Sequence, residues 1–130
     1  MKNTIFKILE YSYYFSLVSL FVLYLFPGSL IGYFLYGNLG QQPDLIPNPI
    51  GTSINHLISF ISLSSLGFIV RITKKIFINS FQFLFLISIL FEILHNFIPN
   101  RAFEYYDLLA NIIGVVLAYL VIKLILKKKI

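Results

Sequence analysis

A small set of residues able to move protons, hold an anion or ligate a cation stands out in an otherwise apolar chain: His56, Glu92, His95, Arg101, Asp107 and Asn111. Ser88, Glu92 and His95 are spaced four and three apart. Asp107, Asn111, Gly114 and Ala118 are spaced four, three and four. Each set therefore shares one helical face. Histidine beside carboxylates at a half-buried, wet position suits general acid–base catalysis, so His56, Glu92, His95 and Asp107 are the catalytic candidates. An arginine next to such groups suits an anion, and Glu92, Arg101, Asp107 and Asn111 are the ligand-binding candidates. Glu92-x-x-His95 has the spacing of carboxylate metal sites in helical bundles, but the motif occurs once, so no metal site and no cofactor is assigned. Cysteine is absent, which excludes disulfides, thiolate ligands and thiol nucleophiles.

The elements that must position these groups are apolar. The chain has 130 residues, of which 58% are hydrophobic and only 12% charged, more apolar surface than a soluble fold of this size can hide. The expected fold is all-α, a polytopic membrane protein forming one domain over residues 1–130. Four transmembrane helices, at about 9–26, 53–70, 76–98 and 105–126, are expected in a small bundle. Tryptophan is absent, so tyrosines near the helix ends, Tyr24 among them, are the expected interfacial aromatics. A Gly/Pro-rich outer segment, 28–51, follows the first helix. In it Gly28, Gly32, Gly37, Gly40, Pro43, Pro47 and Pro49 are expected to break regular helix. Its apolar part, 29–36, is too short to cross and is expected to lie in the interface or dip back into the membrane. Thr52 or Ser53 is the expected N-cap of the second span.

Charge sets the expected orientation. Of the ten Lys and Arg residues, Lys2, Lys7, Arg71, Lys74, Lys75, Lys123, Lys127, Lys128 and Lys129 fall at one end of the four-span arrangement, and only Arg101 falls at the other. The positive-inside rule places both termini and the 71–75 turn in the cytoplasm and the polar cluster at the outer face. The net charge of +5 is accounted for in this way, and no nucleic-acid partner is expected. The basic start and apolar run look like a signal peptide. Glu10 interrupts the run and no small-x-small cleavage site follows, so an uncleaved first span is expected.

At the outer face, Glu92 lies about two turns inside the boundary marked by Pro99, where a carboxylate must be paired, protonated or wetted. Arg101 is expected to reach Glu92 or Asp107. Gly114 and Ala118 form a small-xxx-small pair expected to bring span four against span three. Glu92, Arg101, Asp107 and Asn111 are then expected to converge around an outward-opening cavity with His56 and His95 at its edge.

The stretch from Phe91 to Gly114 resembles the VanZ-like family of small membrane proteins. Glu92, Arg101, Asp107, Asn111 and Gly114 match that family's pattern of E-x-x-Q, a short loop with Arg, then D-x-x-x-N-x-x-G. His56 fits the family's earlier Asp-Lys-x-x-His motif, but Thr52 and Ser53 stand where Asp and Lys would be. His95 replaces the usual Gln, and Ala118 a second Gly. The resemblance runs from about residue 50 to the C-terminus and implies the fold and the outer-face site. The family is named for a protein linked to glycopeptide-antibiotic resistance, a property not carried over to this chain.

The expected function is that of an integral protein of the cell envelope, in the cytoplasmic membrane of a bacterium. Its outer-face site would bind a lipid headgroup or a cell-wall precursor, so the expected partners are membrane lipids or a lipid-linked envelope precursor. The alternative is a membrane-embedded enzyme using His/carboxylate acid–base or metal chemistry. A transporter ranks last, because no ionisable relay runs through the cytoplasmic half.

Overall fold

The described residues of the computed structural model, 2–43 and 51–126, form five α-helices and no strand. These are α1 (Lys2–Leu25), α2 (Leu30–Tyr36), α3 (Gly51–Arg71), α4 (Phe81–Leu94) and α5 (Tyr105–Leu126). A 3-10 turn at Phe77–Asn79 precedes α4. Pro47, Pro49 and Lys127 to Lys129, which the sequence singles out, lie outside the described residues.

Among the described residues, three stretches are long and apolar enough to cross a membrane: Thr4–Leu25, Ser53–Arg71 and Tyr105–Leu126, of 22, 19 and 22 residues. At about 1.5 Å per residue they reach roughly 28–33 Å, against a hydrocarbon core of about 30 Å. The expected third span, 76–98, is shortened to the 14 residues of α4, about 21 Å by the same rise. Two polar side chains account for the late start. Ser80 caps α4 by accepting from the Phe83 N–H at 3.2 Å. Asn79 engages the preceding backbone, accepting from the Ile76 N–H at 3.2 Å and donating to the Lys74 carbonyl at 2.8 Å. Such side chains compete with a continuing helix and favour its start.

The chain does not lose all regularity after α1. Ser29 caps α2 by accepting from the Gly32 N–H at 2.9 Å, so Gly32 sits within a helix that the glycine content alone argues against. Gly37, in the left-handed region at φ 69°, ends it. Nor does Ser53 cap α3, which is already helical at Gly51. Its hydroxyl has a different partner, described below.

α1, α3, α4 and α5 alternate in direction, as their end contacts require. Near the start of α1, the Lys74 ammonium donates to the Glu10 carboxylate, and the Tyr13 hydroxyl donates to the Ile78 carbonyl. That hydrogen bond to Glu10 holds the Lys74 ammonium above its ordinary value. Arg71 Nη1 donates to the Ile76 carbonyl at 2.9 Å and to Asn79 Oδ1 at 3.1 Å, which ties the end of α3 to the start of α4. At the opposite end the last turn of α1 meets His56, His95 and Arg101.

Between the ends lies an apolar core of Tyr13, Phe60, Phe68, Leu84, Phe91 and Val115. The outward faces are apolar as well: Phe15 is 75% exposed and Leu124 74%. Contiguous outward apolar surface on spanning helices is what a hydrocarbon solvent selects.

The small-residue stripe of α5 packs against α3, and not against α4 as its spacing was expected to achieve. A Cβ on Gly114 would lie 2.9 Å from the Leu57 carbonyl oxygen and 2.9 Å from Phe60 Cβ, so the two backbones nearly touch there. Ala118, one turn on, is buried in the same core. Polar contacts favour that pairing: Asp107 and Asn111 share the Gly114 face, and Ser53 and His56 on α3 are among their partners, with Asn111 also donating to the Ser88 carbonyl of α4.

Candidate functional site

At the end of the bundle away from the lysines, α1, α3, α4 and α5 each place polar side chains in an interior otherwise filled by Phe60 and Phe91. Glu92, His95, Asp107 and Asn111 are all buried, and His56 is buried with them. Burial of so many polar groups is tolerable only when each finds partners.

Asn111 is the hub. Its amide nitrogen donates to the Ser88 carbonyl at 3.3 Å, which fixes the side chain's orientation and turns Oδ1 the other way. That oxygen accepts from the Tyr24 hydroxyl at 3.1 Å and faces His56 Nδ1 at 3.2 Å. His56 Nδ1 therefore carries the proton on that side. Its Nε2 faces Asp107 Oδ2 at 3.4 Å, while Asp107 Oδ1 accepts from the Ser53 hydroxyl at 2.5 Å.

Glu92 is held at one oxygen and bare at the other. Oε1 accepts from the Glu104 backbone N–H at 2.9 Å and lies 3.3 Å from His95 Nδ1. Oε2 is buried without a hydrogen-bond partner among the described residues and stands 3.8 Å from His56 Nδ1. His95 Nε2 donates to the Tyr24 carbonyl at 3.1 Å and so ties the C-cap of α4 to the end of α1. Outside the helices, partial burial and the nearby Asp107 and Glu92 carboxylates push the Glu104 carboxyl above its ordinary value.

Arg101 lies elsewhere than expected. Its guanidinium makes no ion pair with Glu92 or Asp107 among the described residues. It donates through Nη2 to the Leu23 carbonyl at 2.6 Å and through Nε to the Phe26 carbonyl at 3.4 Å. The last carbonyls of α1 have no helical partners, and a cation there satisfies them and complements the helix dipole. Desolvation pulls the guanidinium below its ordinary value, while Tyr24, Glu92 and Asp107 pull it back up.

A cavity of about 250 Å³ opens beside this cluster, bounded by the end of α1, α2 and α3. Arg101, His56, Tyr24, Asn55, Ser29 and Gln42 line it. Of the catalytic and ligand-binding candidates, His56 and Arg101 line this cavity; Glu92, His95, Asp107 and Asn111 are not among its lining residues. On the other face of α3, an apolar groove of about 450 Å³ runs along α5 between Ser53, Leu57, Tyr106 and Ile113.

Two members of the cluster escape a reading of the sequence. Tyr24 belongs to the interior and not to the interfacial aromatics, and Ser53 bonds a carboxylate where a helix cap is expected. Spacing along a single helix offers a usable signal for Ser53, which stands three residues before His56 on one face. Nothing comparable marks Tyr24, whose partners are on other helices.

A family model described as VanZ/LLP1 matches residues 13–126. No curated protein and no solved structure matches the chain. The matched region takes in α1 from Tyr13, every helix that carries the cluster, and α5 to its end at Leu126; the chain belongs to the VanZ/LLP1 family.

Proposed function

We propose that this is an envelope membrane protein, with its termini in the cytoplasm, that binds an anionic lipid headgroup or the phosphate of a lipid-linked precursor in the Arg101 cavity at its outer face. One observation carries the proposal: Arg101, His56, Asn55, Gln42 and Tyr24 line a single cavity large enough for a phosphate-bearing headgroup. Only two N–H groups of the guanidinium go to the α1 carbonyls. Its remaining N–H groups have no partner among the described residues and can fork onto a phosphate. Because Arg101 is not paired with Glu92 or Asp107, its charge is not consumed by the acids behind it. The apolar groove across α3 fits the hydrocarbon chains of surrounding lipid.

A second reading has its own observation. His56 borders the cavity and its Nε2 faces Asp107 Oδ2 at 3.4 Å, so an imidazole–carboxylate pair able to share a proton stands next to the place where a ligand would sit. A membrane-embedded enzyme using His56 with Asp107 would follow from it.

Native mass spectrometry of protein released from nanodiscs of mixed lipid tests the first reading. Selective retention of phosphatidylglycerol over phosphatidylcholine is expected. Equal retention of both would remove the headgroup site. Chemical alteration of a retained lipid by wild type, but not by His56→Gln, would favour the enzyme.

A further inference from the structure

The geometry points to a divalent transition-metal site formed by His56, Glu92 and Asp107. This goes beyond headgroup binding and stands independently of it. One ligand atom from each residue lies within 4.8 Å of the other two, and all three residues are buried. Around a zinc ion with bonds of about 2.0–2.2 Å, tetrahedral ligand atoms stand roughly 3.4 Å apart. The separation of His56 Nε2 from Asp107 Oδ2 is already 3.4 Å. The Glu92 ligand atom lies within 4.8 Å of the other two, so the three must close by up to about 1.4 Å to reach that spacing.

Three features make this more than a group of acids. First, Glu92 Oε2 is fully buried and lacks any partner among the described residues, although its side chain points at His56. A carboxylate oxygen so placed calls for a proton or a cation. Second, the proton on His56 is directed to Asn111 Oδ1, an atom that can only accept. In the neutral imidazole Nε2 then turns its lone pair towards Asp107 Oδ2, and a cation held by both atoms would relieve their repulsion. Two carboxylates with a divalent cation and a neutral imidazole are charge-balanced.

Third, the remaining polar atoms are already anchored as outer-shell groups anchor metal ligands. Ser53 holds Asp107 Oδ1, the Glu104 N–H holds Glu92 Oε1, and Asn111 holds His56 Nδ1. His56 also lines the cavity, which supplies an entry path and leaves a fourth coordination position for water or a ligand. The pairing is not the adjacent Glu92-x-x-His95 motif. His95 spends Nε2 on the Tyr24 carbonyl, and α3 supplies the histidine in its place.

The test uses the full-length chain in detergent, stripped with a chelator, checked by gel filtration, and titrated with Zn²⁺ by calorimetry and with Co²⁺ by visible absorption. Saturation at one equivalent is expected, with a visible Co²⁺ band. His56→Gln, Glu92→Gln and Asp107→Asn should each weaken uptake at least about 100-fold, more than the loss of an outer-shell partner does. Glu10→Gln, an acid at the other end of the bundle, should bind as wild type does. Should the site variants not fold, Zn²⁺ must still raise the melting temperature of stripped wild type. Absence of saturable uptake by folded wild type, uptake retained in folded Glu92→Gln, or a melting temperature indifferent to Zn²⁺ would each overturn the site. Arg101→Ala separates the two proposals, since it should keep Zn²⁺ and lose the anionic lipid.

Discussion

Tyr24 near the end of the first helix and Asn111 in the last are joined by a hydrogen bond of 3.1 Å inside the bundle, at the same amide oxygen that faces His56. Three helices thus meet at one acceptor atom. Asn111→Leu would leave the Tyr24 hydroxyl and the His56 Nδ1–H buried without a partner, at about 1–3 kcal/mol for each group. The expected loss is about 2–6 kcal/mol, against roughly 1 kcal/mol for Tyr24→Phe, which removes a donor and leaves Asn111 partly satisfied. Equilibrium unfolding in mixed detergent measures both. Equal effects of the two substitutions would show that Asn111 is not the hub.

Close backbone approach makes Gly114 the most sensitive packing position. Even a methyl group would sit 2.9 Å from the Leu57 carbonyl and from Phe60 Cβ. Gly114→Ala should cost about 1–3 kcal/mol as α5 is pushed from α3, and Gly114→Leu more than the bundle can absorb. Thermal melts for the alanine variant and gel filtration for the leucine variant report the result. A leucine variant as stable and compact as wild type would contradict the α3–α5 contact.

Legibility in the sequence differs from element to element. The polar faces of α4 and α5 are readable because spacings of three and four by themselves place Glu92 with His95, and Asp107 with Asn111. The three long spans are readable from apolar length. The partner of each face is not. Gly114 and Ala118 admit any neighbouring backbone, and the Ser53 and His56 contacts that favour α3 come from another helix. Charge is visible in a sequence, so Arg101 invites pairing with an acid, whereas the bare carbonyls of Leu23 and Phe26 that it bonds are invisible there. The short α4 turns on Asn79 and Ser80, two polar residues whose local hydrogen bonds outweigh the apolar run around them.

The proposed orientation can be checked without disturbing the site, since the chain has no native cysteine. Asn38 and Thr73 are both exposed and lie at opposite ends of the bundle. Asn38→Cys should react with a membrane-impermeant maleimide in intact cells, and Thr73→Cys only after lysis. The opposite pattern would put the Arg101 cavity in the cytoplasm.

Removing a single guanidinium tests the central claim, that the Arg101 cavity holds an anionic headgroup, most directly. Wild type, Arg101→Lys and Arg101→Ala are titrated with phosphatidylglycerol in nanodiscs, and occupancy is read by native mass spectrometry. Loss of a charge-assisted, two-pronged contact should weaken binding about 10-fold or more in Arg101→Ala, with Arg101→Lys in between. Phosphatidylcholine occupancy should not change. Unaltered phosphatidylglycerol binding by folded Arg101→Ala would contradict the account, leaving Arg101 only a cap on the first helix.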